Sequence, residues 1–244
     1  MTVAPTSVRP RPEHHRFRWV LVAILAFFLG GLAVALLYQF DVFESSSSSG
    51  IQGSGVATAQ TREVAAFNSI ELAGANNVVI RVGEKQSVVV KADDNLVNRV
   101  TTKVKTGALV IGNTPGSITT ESPMSVEVTL PSLSAVALKG SGNILVSGLK
   151  TESLTVILSG SGNVFGSGSA TSLDVTVSGS GNARLTRLVA NNVHAVVSGF
   201  GAIFVTATRR LDASIPGSGT ILYAGNPQDV AQSVTGSGAI QGTS

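Results

Sequence analysis

In the C-terminal half of the chain, apolar residues take every second position in short runs, and the runs return at a fixed interval. A Gly-x-Gly element marks it: Gly140-Ser141-Gly142, Gly160-Ser161-Gly162, Gly179-Ser180-Gly181, Gly199-Phe200-Gly201, Gly217-Ser218-Gly219 and Gly236-Ser237-Gly238. The steps between first glycines are 20, 19, 20, 18 and 19 residues. Two positions before the first glycine stand Leu138, Leu158, Val177, Val197, Ile215 and Val234. Four before stand Val136, Val156, Val175, Ala195, Ala213 and Gln232, and four after stand Ile144, Val164, Ala183, Ile203, Ile221 and Ile240. The positions between are mostly polar or small. Alternation with period two predicts strands with one buried face. Each unit therefore has one strand entering the glycine turn and one leaving it. A fixed period near 20 residues marks a solenoid, not a flexible linker. The expected fold is all-β: a single-stranded parallel β-helix of about 19 residues per coil, its coils ~4.8 Å apart.

The pattern at the N-terminus is different. Trp19–Tyr38 (WVLVAILAFFLGGLAVALLY) carries no charge, and its length suits a helix crossing a hydrocarbon core of ~30 Å. Trp19 and Tyr38 stand at its two ends, where amphipathic rings prefer the interface. Arg16 and Arg18 precede it; Asp41 and Glu44 follow. The positive-inside rule then puts the N-terminus in the cytoplasm and the rest outside. The expected organisation is a basic cytoplasmic tail (1–18), a transmembrane helix (19–38), a Ser/Gly-rich linker (39–61) and a β-helical domain (62–244). Within the last, 62–130 read as irregular N-terminal coils and 131–244 as the regular repeats. The expected location is the cell membrane, single-pass, with the C-terminal domain extracytoplasmic. The rival reading is a cleaved export signal ending near Ala33-Val34-Ala35; it exports the same domain.

Residues 62–130 contain strand-like runs at Ser69–Leu72, Asn77–Val82, Ser87–Val90 and Leu109–Ile111, enough for three or four coils. Ala73-Gly74-Ala75-Asn76 reads as a degenerate first turn. A cap is expected at this end, because a bare first coil exposes its strand edge.

Composition narrows the function. The net charge of +3 comes from Arg9, Arg11, Arg16 and Arg18 against Glu13, and the remainder is balanced, so no nucleic-acid partner is expected. With no Cys, disulfides, thiolate metal sites and a Cys nucleophile are excluded. The Gly-x-Gly elements lack the third glycine and the following helix of a phosphate cradle, and the turns lack the Asp of calcium-binding β-rolls. No cofactor and no enzymatic activity are expected.

Several columns are candidates for structure or contact. Asn143, Asn163 and Asn182, three after the first glycine, suit an amide ladder from coil to coil. Leu145, Phe165, Arg184, Phe204 and Leu222, five after it, fall on the outward parity as an apolar stripe, with Phe200 in a nearby turn. An exposed apolar stripe marks a contact surface. Asp174, His194 and Asp212, five before the glycine, stack on successive coils. Such a row could hold a metal or raise the imidazole pKa; the simpler reading is an exposed polar ladder.

The Gly-Ser-Gly-Asn repeats, the stretch Thr129-Leu130-Pro131-Ser132-Leu133 and the segment VVVKADDNLVNRV (88–100) resemble the bacterial auto-transporter adhesin head GIN domain family, over about residues 63–242. The resemblance implies a β-helical cell-surface domain with no catalytic residues. The chain departs from it at Phe200, which replaces a turn serine, and in having no sign of a C-terminal barrel. The expected role is adhesion or scaffolding through surface contacts, with the bilayer and an unidentified protein or envelope component as partners. The alternative is an envelope-stress accessory modulating a membrane partner.

Overall fold

The computed structural model describes residues 50–243. The expected basic tail, the transmembrane helix at 19–38 and the first part of the linker lie outside the described residues. Among the described residues no helix is long and apolar enough to cross a membrane.

The described chain is all-β apart from a single 3-10 turn at Val97–Arg99. The N-terminal part holds β1 (Ile51–Gln52), β2 (Ala57–Thr61), β3 (Ser69–Leu72), β4 (Asn77–Val82), β5 (Ser87–Asp93), β6 (Val100–Lys105), β7 (Ala108–Asn113), β8 (Ile118–Thr119) and β9 (Ser125–Leu130). The repeats form β10 (Ala135–Leu138), β11 (Asn143–Leu158), β12 (Asn163–Val177), β13 (Asn182–Val197), β14 (Ala202–Ile215), β15 (Thr220–Ala224), β16 (Asp229–Val234) and β17 (Ala239–Gly242).

These strands stack as a solenoid with two columns of parallel pairs. One column enters the glycine turns, and its register runs Val136, Val156, Val175, Ala195, Ala213, Gln232. The other leaves them, through Ile144, Val164, Ala183, Ile203, Ile221 and Ile240. Five turns of the solenoid separate Gly140 from Gly236. The aligned apolar side chains fill the space between the columns, and from Val136 to Ile221 these inward residues are fully buried.

β11, β12, β13 and β14 are 14–16 residues long because each continues through the corner opposite the glycine turn. In β11 the corner falls at Gly148, whose φ of +71° is open to glycine and strained for other residues. The register shifts cluster at this corner, between Val146 and Leu149, Phe165 and Ser167, and Leu185 and Val189. The variation from 18 to 20 residues per coil is therefore absorbed there, and the turns and buried rows stay aligned.

The N-terminal part departs from the expected run of three or four coils. β3 and β4 form one layer of the stack, pairing with β10 and β11 on one side and with β7 and β9 on the other. The layer made by β7 and β9 thus comes later in the chain but lies further out. β6 then pairs antiparallel with β7, β5 antiparallel with β9, and β2 antiparallel with β5. Leu96, Val97 and Val100 close the core at this end and are buried. Here parallel and antiparallel pairs are mixed, and the strands do not follow one another as successive coils.

Residues 50–61, assigned above to the linker, are folded. β1 pairs with β8 and β2 with β5. Gly53–Gly55 are held by side chains far along the chain: the Ser54 amide donates to Asn95 Oδ1 at 3.0 Å, and the Asn95 amide group donates to the Gln52 carbonyl at 2.8 Å. Composition reported the small residues here but could not report their distant partners.

Candidate functional site

The glycine turns set the spacing of every outer row. A Cβ on Gly162 would land on the Gly142 carbonyl oxygen, and one on Gly181 on that of Gly162. The same holds for Gly160 over Gly140 and Gly201 over Gly181. The Gly181 amide donates to the Gly160 carbonyl and the Asn182 amide to the Gly162 carbonyl, both at 3.2 Å. The glycines are needed because successive turns lie too close for a side chain between them. The run Ala73–Asn76 is part of this stack, since a Cβ on Gly140 would meet the Gly74 carbonyl and one on Gly142 that of Asn76. In the later turns, Gly199, Gly217, Gly219, Gly236 and Gly238 face the backbone of the turn beneath, and so does Gly179.

Beside the turns runs a ladder of amides. Asn143 Nδ2 donates to Asn77 Oδ1, Asn163 Nδ2 to Asn143 Oδ1 and Asn182 Nδ2 to Asn163 Oδ1, each at 3.0 Å. Asn77 is a rung that the glycine repeat alone did not include. Its signal was the match of Asn77-Val78-Val79-Ile80 to Asn143-Ile144-Leu145-Val146. On the side toward the cap, Asn76 and Asn113 exchange amide hydrogen bonds of 2.9 and 3.3 Å.

Two residues further along the same strands lies the apolar row. The register places Val79, Leu145, Phe165, Arg184, Phe204 and Leu222 side by side. Leu145 is 40% exposed, and Val79, Phe165, Phe204 and Leu222 are half-buried. The Arg184 guanidinium carbon lies 5.2 Å from the centroid of the Phe204 ring, so the cation rests on an aromatic face and does not break the row. Toward the cap the row ends at Glu127, which bonds Lys91 at 2.7 Å; that bond holds the Glu127 carboxyl below its usual range. Phe200 projects from its turn and is 78% exposed.

On the opposite column Asp174, His194 and Asp212 are register neighbours. His194 Nδ1 lies 3.8 Å from Asp212 Oδ2, with both side chains about half exposed. Among the described residues no group of three His, Asp or Glu side chains is placed to hold a metal ion. The row is an exposed polar ladder with one loose His–Asp contact.

A buried carboxylate that sequence reasoning did not single out lies in the cap. Asp93 is fully buried and accepts from the amides of Glu121 (3.0 Å) and Ser122 (3.1 Å). A hydrogen bond from the Ser122 side chain foremost, joined by those from the Glu121, Ser122 and Gly55 amides, outweighs the cost of burial and holds its pKa below the ordinary value. Nothing in the local sequence marks it, because its donors lie about 28 positions downstream.

Against known proteins, a family model described as putative auto-transporter adhesin, head GIN domain, matches residues 66–227. A solved structure of a putative adhesin from Bacteroides fragilis NCTC 9343 is similar, with 26% identity and a TM-score of 0.67, covering 80% of this chain and 100% of that one. A putative adhesin from Parabacteroides merdae ATCC 43184 shares the fold at 19% identity and a TM-score of 0.51, covering 80% and 99%. No curated protein matches.

Proposed function

The chain belongs to the putative auto-transporter adhesin, head GIN domain family, and from that premise we propose that it is a non-enzymatic surface-contact module. In this reading residues 19–38 hold it in the cell membrane, and the solenoid stands on the extracytoplasmic side as an adhesin or envelope scaffold. The observation that carries the reading is the outward row Val79, Leu145, Phe165, Phe204 and Leu222. The rings and aliphatic groups recur at the strand spacing of ~4.8 Å, on a support whose turns cannot shift independently. Partial exposure of a contiguous apolar row is the mark of a contact surface. Arg184 adds a fixed cation in the middle of it.

The test compares binding of residues 50–244 to whole cells and isolated envelope for the wild type and for Phe165→Ser/Phe204→Ser. Both rings point outward, so the variant keeps its β circular dichroism and loses binding at least about tenfold, equivalent to about 1.4 kcal/mol. Unchanged binding by the folded variant sinks the assignment of the row. Absence of binding by the folded wild type favours the accessory role, which exchange of residues 1–18 then tests.

A further inference from the structure

The two ends of the solenoid are finished differently. At the N-terminal end antiparallel strands and the buried Leu96, Val97 and Val100 cover the core. The edge strand β6 there carries Lys103 and Lys105, both exposed, and lysines on an edge discourage strand pairing. At the other end, β16 pairs only with β14 and β17 only with β15. The outer backbone donors and acceptors of both strands have no partner strand among the described residues. The inward side chains of this coil are open as well: Val230 and Val234 are 41% and 44% exposed, Gln232 between them is exposed and donates to the Tyr223 hydroxyl at 3.4 Å, and Ile240 is half-buried.

This edge lacks the usual guards. The sequences DVAQSV and AIQG contain no Lys and no Pro. Their one charge, Asp229, is taken by Arg210 at 2.9 Å. A neutral edge meets a copy of itself without like-charge repulsion, which a partner of opposite charge would not require. The cover must also supply two strands and an apolar plug at once, because the open cross-section has two strand edges with Val230, Val234 and Ile240 between them. A single extended peptide covers only one edge. The last coil of another copy has both edges and the same apolar residues.

We infer that the C-terminal coil is a homodimer interface, in which β16 and β17 of one protomer meet the same coil of a second copy across a two-fold axis. The axis turns one end to face the other, so the meeting strands run antiparallel and exchange main-chain hydrogen bonds. The interface is separate from the apolar row, which lies along the side of the solenoid.

The experiment is the mass of the full chain in detergent, followed by light scattering over a concentration series. The wild type passes from monomer to dimer. Val234→Lys and, independently, Ser233→Lys place a cation on the edge and raise the dissociation constant at least about tenfold. Lys103→Ser at the opposite end leaves it unchanged. Because the chain has no Cys, a second reading needs only one added thiol: Ser233→Cys joins into a dimer with a short bis-maleimide, and Lys103→Cys does not. A wild type that stays monomeric throughout overturns the inference. So does a dimer that is indifferent to both lysine substitutions, or one that cross-links through position 103 and not 233.

Discussion

At Gly162 the demand for glycine comes from the neighbouring coil, not from the residue's own backbone angles. The glycines of these turns are absent from those with positive φ, yet a Cβ on Gly162 would meet the Gly142 carbonyl. Gly162→Ala must push two coils apart and is expected to destabilise by about 3 kcal/mol. Ser161→Ala, in the same turn but exposed, changes stability by no more than about 0.5 kcal/mol; urea denaturation of the two variants checks the contrast. Asn163 both donates and accepts in the amide ladder, so Asn163→Ala loses two hydrogen bonds and about 1–2 kcal/mol. Asp93 gives a pH dependence of definite sign. Its folded pKa lies below the ordinary value, so the native state favours the ionised form. Its stabilisation is present above the unfolded pKa of about 3.9 and is lost as pH falls through the lower folded value. Melting temperature should fall with acidification in that range, and Asp93→Asn should lower it at neutral pH and flatten the acid slope. A wild-type melting temperature that does not respond to acid would refute this role.

At the scale of strands, the two corners of each coil obey different rules. Stacked carbonyls fix the glycine corner, while the opposite corner accommodates register shifts of one to three residues. One glycine inserted after Gly148, which has no close backbone above or below it, is expected to cost less than about 1 kcal/mol, and the same residue inserted after Ser161 several times more; thermal melts of both report the difference. This division also explains what could be read in advance. A regular coil pairs with the next stretch of chain, so its partner sits in the same sequence column about 20 positions on, and alternation exposes both. The Leu145, Phe165, Phe204 and Leu222 row was legible for the same reason. The cap was not. β3 pairs with strands on both sides that come later in the chain, and β5 and β6 reverse direction. No periodicity encodes those partners, and the Ser/Gly composition of 50–56 reads as linker until Asn95 is seen holding it. Asp93 was hidden likewise, its donors being supplied by another loop.

For the molecule as a whole, the position of β3 and β4 inside the stack dictates the order of assembly. Asn77 meets Asn143 across 66 positions, whereas Asn143 meets Asn163 across 20. Closing the longer loop costs about 1 kcal/mol more in chain entropy than closing one coil, and until it closes the regular strands have no template. Folding should therefore begin with one slow non-local closure and then zip toward the C-terminus one coil at a time. Refolding rates are predicted to respond to Leu72→Ala and Leu138→Ala, on either side of that closure. Unfolding rates should respond instead to substitutions in β15 and β16. Pulled from its C-terminal end, such a solenoid would pay out chain in steps of a single coil and stop abruptly at the layer where β3 is gripped from both sides. A module that makes contacts under tension would thus have an extensible outer part and a clamped base.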